Sequence, residues 1–244
     1  MAYQHYRTWG IFLAQENRGE ADQLFFIFTL DFGMIEVLAK SVRKLTSKLR
    51  SGVTFFYLSE IEFIQGKHYK ILTDALPLEK FENIRQDTAK VKIARGLGAV
   101  TKFFLIRSER DLKIWALLKD SFNYLNSQPG ELIQPYFFWN FLGLLGYLPE
   151  LYRCPLCQKK VKPEIFYLIP KEGGLVCGHC ASGLEIDRNE REFIKVNTVK
   201  LIRMFLQKPL EVLTRLKVDQ PDLENLVKVS SFMLGSFQEF KNAI

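Results

Sequence analysis

Outside one stretch of 27 residues, Cys154 to Cys180, this chain of 244 residues contains no cysteine. Within the stretch it has four, as two CxxC pairs, which argues against a secreted disulfide framework and for metal binding in a reducing, cytoplasmic setting. Histidine is scarce too, with three in the chain, and His5 and His68 have no ligand partners nearby in sequence. No apolar run is long enough to span a bilayer. The strongest, Pro135 to Pro149, is interrupted by Asn140, Gly143 and Gly146. Arg7, Glu16, Arg18 and Glu20 break up the segment where a secretory signal would lie, so none is expected. A glycine-rich phosphate loop, a dinucleotide fingerprint and a nucleophile–base pattern are all missing. Asp22, Asp31 and Glu36 are too scattered for a two-metal nuclease, so catalysis finds no foothold here. Low-complexity sequence is absent as well, and 48% hydrophobic residues suffice for one or two packed cores.

Charge is present in surplus. The net formal charge is +7, which favours nucleic acid or another anionic partner. Between Met1 and Leu76 there are nine basic and eight acidic residues, so that segment is nearly neutral overall. Yet Lys40, Arg43, Lys44, Lys48 and Arg50 fall within eleven residues that contain no acid. The basic charge is gathered in one place.

Up to about residue 76 the pattern is that of strands, rich in aromatic and β-branched residues. Strands are predicted over 3–13, 22–30, 33–40, 54–65 and 68–75, with turns at Asp31-Phe32-Gly33 and Gln65-Gly66-Lys67. Five antiparallel strands in so short a space are best closed as a small barrel, and the oligonucleotide-binding (OB) fold is the obvious candidate. After Leu76-Pro77 helical spacing takes over, at Thr88–Ile106 and Arg110–Leu125, then in a helix opened by Pro129 and ended by Gly146. Further helices are predicted over Arg188–Leu206, Lys208–Leu216 and Pro221–Phe240, the last capped by Asp219. The expected class is therefore α+β: an OB barrel over 1–78, then an all-α domain over 79–244 carrying a four-cysteine zinc-finger insertion at 152–182.

The metal site is predicted from Cys154-Pro-Leu-Cys157, nineteen intervening residues and Cys177-Gly-His-Cys180. Each CxxC turn brings two thiolates to one ion, and four soft ligands match tetrahedral zinc. An iron centre, or thiols that only fill a core, are the alternatives. Four thiolates leave no open position for water, so the zinc is expected to be structural, with His179 outside the ligand set. A hairpin of Glu164–Pro170 and Gly173–Val176 should join the two knuckles, with Gly178 easing the second.

The basic segment Lys40–Arg50 links the third and fourth predicted strands. There its cations can meet phosphates, aided by Ser41, Thr46 and Ser47, and Phe32 or Tyr57 can stack bases unless they are core. The opposing reading is a solvated basic loop. Phe137, Phe138, Trp139 and Phe141 spread around all faces of their helix, so most should be core, any surplus forming a groove for a partner peptide.

Arg18-Gly-Glu20-Ala-Asp22, Phe28-Thr29, Gly33 and Val37-Leu-Ala39-Lys40 with Arg43 and Ser47 form one ordered set. Phe141-Leu-Gly-Leu-Leu145-Gly146-Tyr147-Leu-Pro149 then leads into Cys154-Pro-Leu-Cys157, and Gly173-Gly174-Leu-Val-Cys177-Gly-His-Cys180 follows. In these residues, and over essentially its full length, the chain resembles the RecO family of bacterial DNA repair and recombination mediators. That resemblance implies an OB barrel followed by a helical domain with a zinc module. It implies binding of single- and double-stranded DNA, annealing of complementary strands, and action with RecR to load RecA onto strands coated by single-strand-binding protein. It also implies docking of that protein's acidic tail on the helical domain, and no catalytic centre, small-molecule substrate or membrane. Lys40 and Arg43 match the family's basic stretch; Lys44, Lys48 and Arg50 are added on charge alone. Ser41 stands where members usually have glycine. The competing functions are a zinc-stapled nucleic-acid-processing enzyme and a scaffold that never touches DNA.

Overall fold

The computed structural model describes residues 4–105, 110–161 and 165–242. The chain divides into two compact units, Met1–Gln134 and Pro135–Ile244.

In the first unit β1 (His5–Arg18), β2 (Asp22–Thr29), β3 (Gly33–Ala39), β4 (Leu58–Gln65) and β5 (Lys70–Glu79) form a closed barrel in the order β1-β2-β3-β5-β4. The barrel is closed by a parallel pairing of β3 with β5, Val37 opposite Lys70 and Leu38 opposite Ile71, whereas the other pairs are antiparallel. β1 runs longer than the predicted 3–13 because it serves two partners, β4 along His5–Ile11 and β2 along Gly10–Arg18. A bulge between Phe12 and Ala14 accompanies that hand-over. β4 begins at Leu58 instead of 54, since Thr54–Tyr57 forms a turn, and β5 continues to Glu79.

Phe12, Phe25, Ile27, Ile35, Val37, Ile61, Phe63 and Leu72 fill the barrel. The apolar run in β2 has no polar alternation because both its faces are covered. Phe25 and Ile27 face the barrel core, while Phe28 meets Trp115 and Phe26 lies under the Lys102 ammonium, 3.3 Å from the ring centre. These covering residues come from α2 (Thr88–Leu105) and α3 (Leu112–Ser127). Asp111 starts α3 by accepting the Lys113 and Ile114 amides at 2.8 and 3.0 Å, so the helix opens two residues later than predicted. A short α1 (Glu82–Gln86) precedes them, and Phe56 and Phe81 both pack on Phe122 at 5.6 Å. The predicted end of α2 at Ile106 lies outside the described residues.

In the second unit α4 (Ile133–Leu145), whose first two residues fall before the division, buries Tyr136 through Trp139 together with Phe141 and Leu142. Those aromatics are core, so they leave no groove of their own. Pro129 does not open the helix, which begins four residues later. Gly146, at φ +77°, ends it, and the Tyr147 amide reaches back to the Leu142 carbonyl at 2.9 Å.

β6 (Phe166–Ile169), β7 (Gly174–Cys177) and β8 (Glu192–Ile194) form a three-stranded antiparallel sheet ordered β7-β6-β8. The predicted helix Arg188–Leu206 is thus divided into a 3₁₀ turn at Arg188–Glu190, strand β8 and α6 (Val196–Gln207). Helical periodicity misses β8 because its pattern is set by β6, whose Phe166 faces Ile194 across the ladder. Buried Asn225, on α7 (Gln220–Asn242), holds that junction: it accepts from the Lys195 amide and Thr198 hydroxyl and donates to the Phe193 carbonyl, all within 3.0 Å. Lys208–Leu216 is a 3₁₀ turn at Leu210–Arg215, and α7 opens on the Asp219 carbonyl, which accepts the Leu223 amide at 3.0 Å.

Ser41 sits at φ +54°, in the left-handed region that glycine enters without a steric cost. The backbone path proper to glycine is therefore kept without glycine, and the Asp22 carboxylate holds it by accepting the Ser41 amide at 2.7 Å. Ser41→Gly should leave stability unchanged or raise it by up to about 1 kcal/mol, and Ser41→Val should lower it by about 1 kcal/mol or more. Urea unfolding measures both; a Val variant as stable as wild type would remove the strain from the account.

Candidate nucleic-acid interface and metal centre

The link between β3 and β4 spans Lys40 to Tyr57 and contains one 3₁₀ turn, Lys48–Ser51. Its start is tied to the β1–β2 hairpin. The Ser41 amide bonds Asp22, the Arg43 amide bonds the Ala21 carbonyl at 3.0 Å, and the Arg43 guanidinium reaches the Gly19 carbonyl at 3.4 Å. Its middle is held by burial, since Val42, Leu49 and Val53 pack on the barrel core. It is also fixed at Gly52, whose carbonyl accepts the Ser59 hydroxyl at 3.0 Å. A Cβ on Gly52 would overlap the Ala75 carbonyl, so only glycine fits.

Val42, Leu49 and Val53 therefore point inward and the cations outward, while Leu45 is left exposed between them. Lys40, Arg43, Lys44, Lys48 and Arg50 are all exposed, and among the described residues none is in an ion pair. Five cations without acidic partners on a pinned segment make a strong local positive field. Arg43 and Arg50 line one groove of about 410 Å³ with Gln15, Gln23, Thr54 and the half-buried ring of Phe55. Lys40, Lys44 and Lys48 stand on the same link outside that groove. Thr46 is exposed, while Ser41 and Ser47 are half-buried.

The aromatics singled out from sequence lie elsewhere. Tyr57 is buried, and its hydroxyl accepts from Arg85 at 2.6 Å. Phe32 packs edge-on against Tyr6 and Phe63. Phe55 holds the groove position instead. Its only sequence signal was being next to Phe56, which turns into the core at φ +67°. Two of the scattered acids have structural tasks: Asp22 holds Ser41, and Asp31 accepts the Thr8 hydroxyl at 2.7 Å. His5 bonds Glu62 at 2.7 Å, and Arg7 joins the same carboxylate. Those two bonds depress the Glu62 pKa, His5 being the larger cause.

In the second unit Cys154, Cys157, Cys177 and Cys180 come together, their four sulfurs within 4.8 Å of one another. Cys157 Sγ and Cys177 Sγ are 3.9 Å apart, and no disulfide joins them. Tetrahedral zinc with Zn–S bonds of about 2.3 Å places its sulfurs about 3.8 Å apart, so the cage is the right size for such an ion. The first knuckle is a tight ribbon in which Cys154 donates to the Lys159 carbonyl and accepts from Gln158, both at 2.9 Å. Gln158, at φ +60°, makes the left-handed turn there, while Gly178 has no such φ. Cys177 ends β7, and Cys180 lies in the short helix α5 (Gly178–Ser182) that follows. Beneath them Ile169, Val176 and Ala181 form a small core. His179 is exposed and outside the sulfur cluster. Glu164 lies outside the described residues.

Thiol electrostatics also suit a cation. Burial resists ionising Cys154, yet amides of Cys157, Cys177 and Leu156 outweigh it and lower its pKa to about 6. Cys180 is pushed up to about 12, first by its hydrogen bond to Cys177, then by burial and the other thiols. Without a metal the cluster takes its first negative charge easily and its last with difficulty. A divalent cation among the sulfurs removes that repulsion.

No helix is long and apolar enough to cross a membrane among the described residues. Two family profiles match the chain, "Recombination protein O N terminal" over residues 1–81 and "Recombination protein O C terminal" over 85–235. A "DNA repair protein RecO" of Dehalococcoides mccartyi is 31% identical over 226 residues, covering 91% of this chain and 86% of its own. Proteins of the same name from Heliobacterium modesticaldum and Alkaliphilus metalliredigens are 32% and 29% identical, covering 87% and 91% of this chain and 78% and 89% of theirs. The matched segments run through both the barrel with its cationic link and the helical region with its cysteine cage, and the chain belongs to the RecO family of DNA repair proteins.

Proposed function

We propose that this protein is a non-enzymatic recombination mediator. It binds single- and double-stranded DNA and anneals complementary strands. With RecR it helps to load RecA onto DNA coated by single-strand-binding protein, whose C-terminal tail it engages through the helical region. Its setting is the bacterial cytoplasm and nucleoid, and it needs no small-molecule substrate. The observation that carries this reading is the pinned β3–β4 link with its five exposed cations, none of them in an ion pair among the described residues. Phosphates on that link release counterions, and neutralising two strands reduces the repulsion that keeps complements apart. The barrel over 1–78 is the proposed DNA-binding part. A second contact with the coating protein raises the local concentration at gaps.

The metal is proposed to be zinc with a structural role. Cys154, Cys157, Cys177 and Cys180 would hold it and fill all four positions, leaving no site for activated water. It would supply cross-linking between the knuckles, which supports the fold of residues 135–244.

Replacing Lys40, Arg43 and Lys44 together with alanine should weaken binding of single-stranded DNA. It should also reduce the slope of log affinity against log salt by about 2 to 3, from about 0.7–0.9 per phosphate contact. An unchanged affinity and slope would remove the link from the mechanism. Strand annealing on bare and protein-coated DNA, with and without RecR, separates mediation from simple binding.

Anaerobically purified protein should contain one zinc per chain; less than about half an equivalent would sink the structural-zinc reading. Cys154→Ser should destabilise the second unit, measured by limited proteolysis, more than it weakens DNA binding.

A further inference from the structure

The first metal knuckle has a feature that holding an ion does not require. Tyr152 to Val161 folds back as a narrow ribbon, with Arg153 bridged to Lys160 and the Val161 amide on the Tyr152 carbonyl at 2.8 Å. Arg153, Lys159 and Lys160 are exposed on it, and no acid occurs from Leu151 to Val161. Among the described residues none of the three is in an ion pair. The nearest acid in sequence, Glu150, has one carboxylate oxygen engaged by the Tyr152 and Arg153 amides at 2.6 and 3.1 Å.

The ribbon's cations are not alone in being exposed in this unit. Some do have partners: Lys171 pairs with Glu190, Lys195 with Asp222 and Lys228 with Glu192, and Arg191 lies over Tyr167. Arg188, Lys200, Lys208, Arg215 and Lys217 are exposed and, among the described residues, in no ion pair either. Arg203 donates to the Leu151 carbonyl and lies over the Tyr152 ring, 4.4 Å from its centre. Gln207 donates to the Tyr152 hydroxyl at 3.0 Å. An aromatic ring that is 48% exposed is thereby held in one orientation at the base of the ribbon. Cations on a stiff ribbon beside a fixed, exposed ring suit a strand that offers phosphates and unstacked bases.

We propose that this knuckle is a second contact for single-stranded nucleic acid. Arg153, Lys159 and Lys160 would meet phosphates and Tyr152 a base. The inference rests on the DNA-binding reading above and extends it, because annealing gains from holding two strands on one chain. Electrostatics offers one competitor: four thiolates and a divalent ion carry a net charge of −2, and the three cations would then only balance it.

The test is the full-length triple variant Arg153→Ala/Lys159→Ala/Lys160→Ala beside the Lys40/Arg43/Lys44 variant, assayed with fluorescent oligo(dT) and with complementary oligonucleotides. Expected are a salt slope smaller by about 2, annealing slower by about tenfold, and unchanged zinc content. An unchanged slope and annealing rate overturns the inference. So does zinc loss with the slope intact, which assigns the cations to the thiolates, or wild-type binding to anionic phosphatidylglycerol vesicles that the variant alone loses while its slope stays intact. If the triple variant does not fold, photo-crosslinking of wild type to bromodeoxyuridine-substituted oligo(dT) decides. A cross-linked peptide containing Tyr152 supports the contact, and cross-links confined to residues 1–134 refute it. Wild type that binds no DNA fails the underlying reading; loss only in the link variant fails this inference alone.

Discussion

The positive surface of the barrel depends on one restraint, the attachment of the β3–β4 link to the β1–β2 hairpin and the barrel core. Five cations on a free loop would spread their charge over many conformations, and each phosphate contact would then have to overcome the entropy of ordering the loop. Here the Asp22 carboxylate holds the first turn of the link in a left-handed conformation, and the hairpin carbonyls of Gly19 and Ala21 hold Arg43. Val42 and Val53 then bury the backbone on either side of the 3₁₀ turn. The acid that closes the Arg18–Asp22 segment thus has a backbone task, although its side chain is the kind a nuclease would use.

Much of this organisation was legible in the residues. Strand texture, turn glycines and the missing edges led to a closed barrel, and cysteine spacing led to the cage. The link cations were also visible, as a run without acid. What escaped was set by tertiary partners. β8 has three residues and no pattern of its own; it exists because β6 offers a free edge and Asn225 satisfies its end. The parallel closure of the barrel was hidden as well, since pairing direction is a property of topology and not of local propensity. The sequence points to Tyr57 and not to Phe55 as the residue for stacking bases, because neighbouring aromatics look alike until the backbone turns at Phe56.

The second unit divides its tasks between two kinds of chemistry. The aromatic residues of α4 need no metal, since their burial alone drives packing. The β6–β7 hairpin and its knuckles are different: besides Cys154, the core under the sulfurs has only Ile169, Val176 and Ala181 buried, with Tyr167, Leu184 and Ile186 half-buried around them, too few to hold so short a sheet unaided. A cage of soft ligands sits where apolar burial is weakest.

The parallel seam of the barrel is only two residue pairs long, Val37 with Lys70 and Leu38 with Ile71, and it lies next to the end of β3 where the cationic link departs. The other four seams are longer. A cylinder joined in this way has one clasp, and opening it leaves a continuous antiparallel ribbon, β3-β2-β1-β4-β5, with its hydrogen bonds intact. The shortest backbone seam of the barrel therefore lies beside the residues that carry its positive charge.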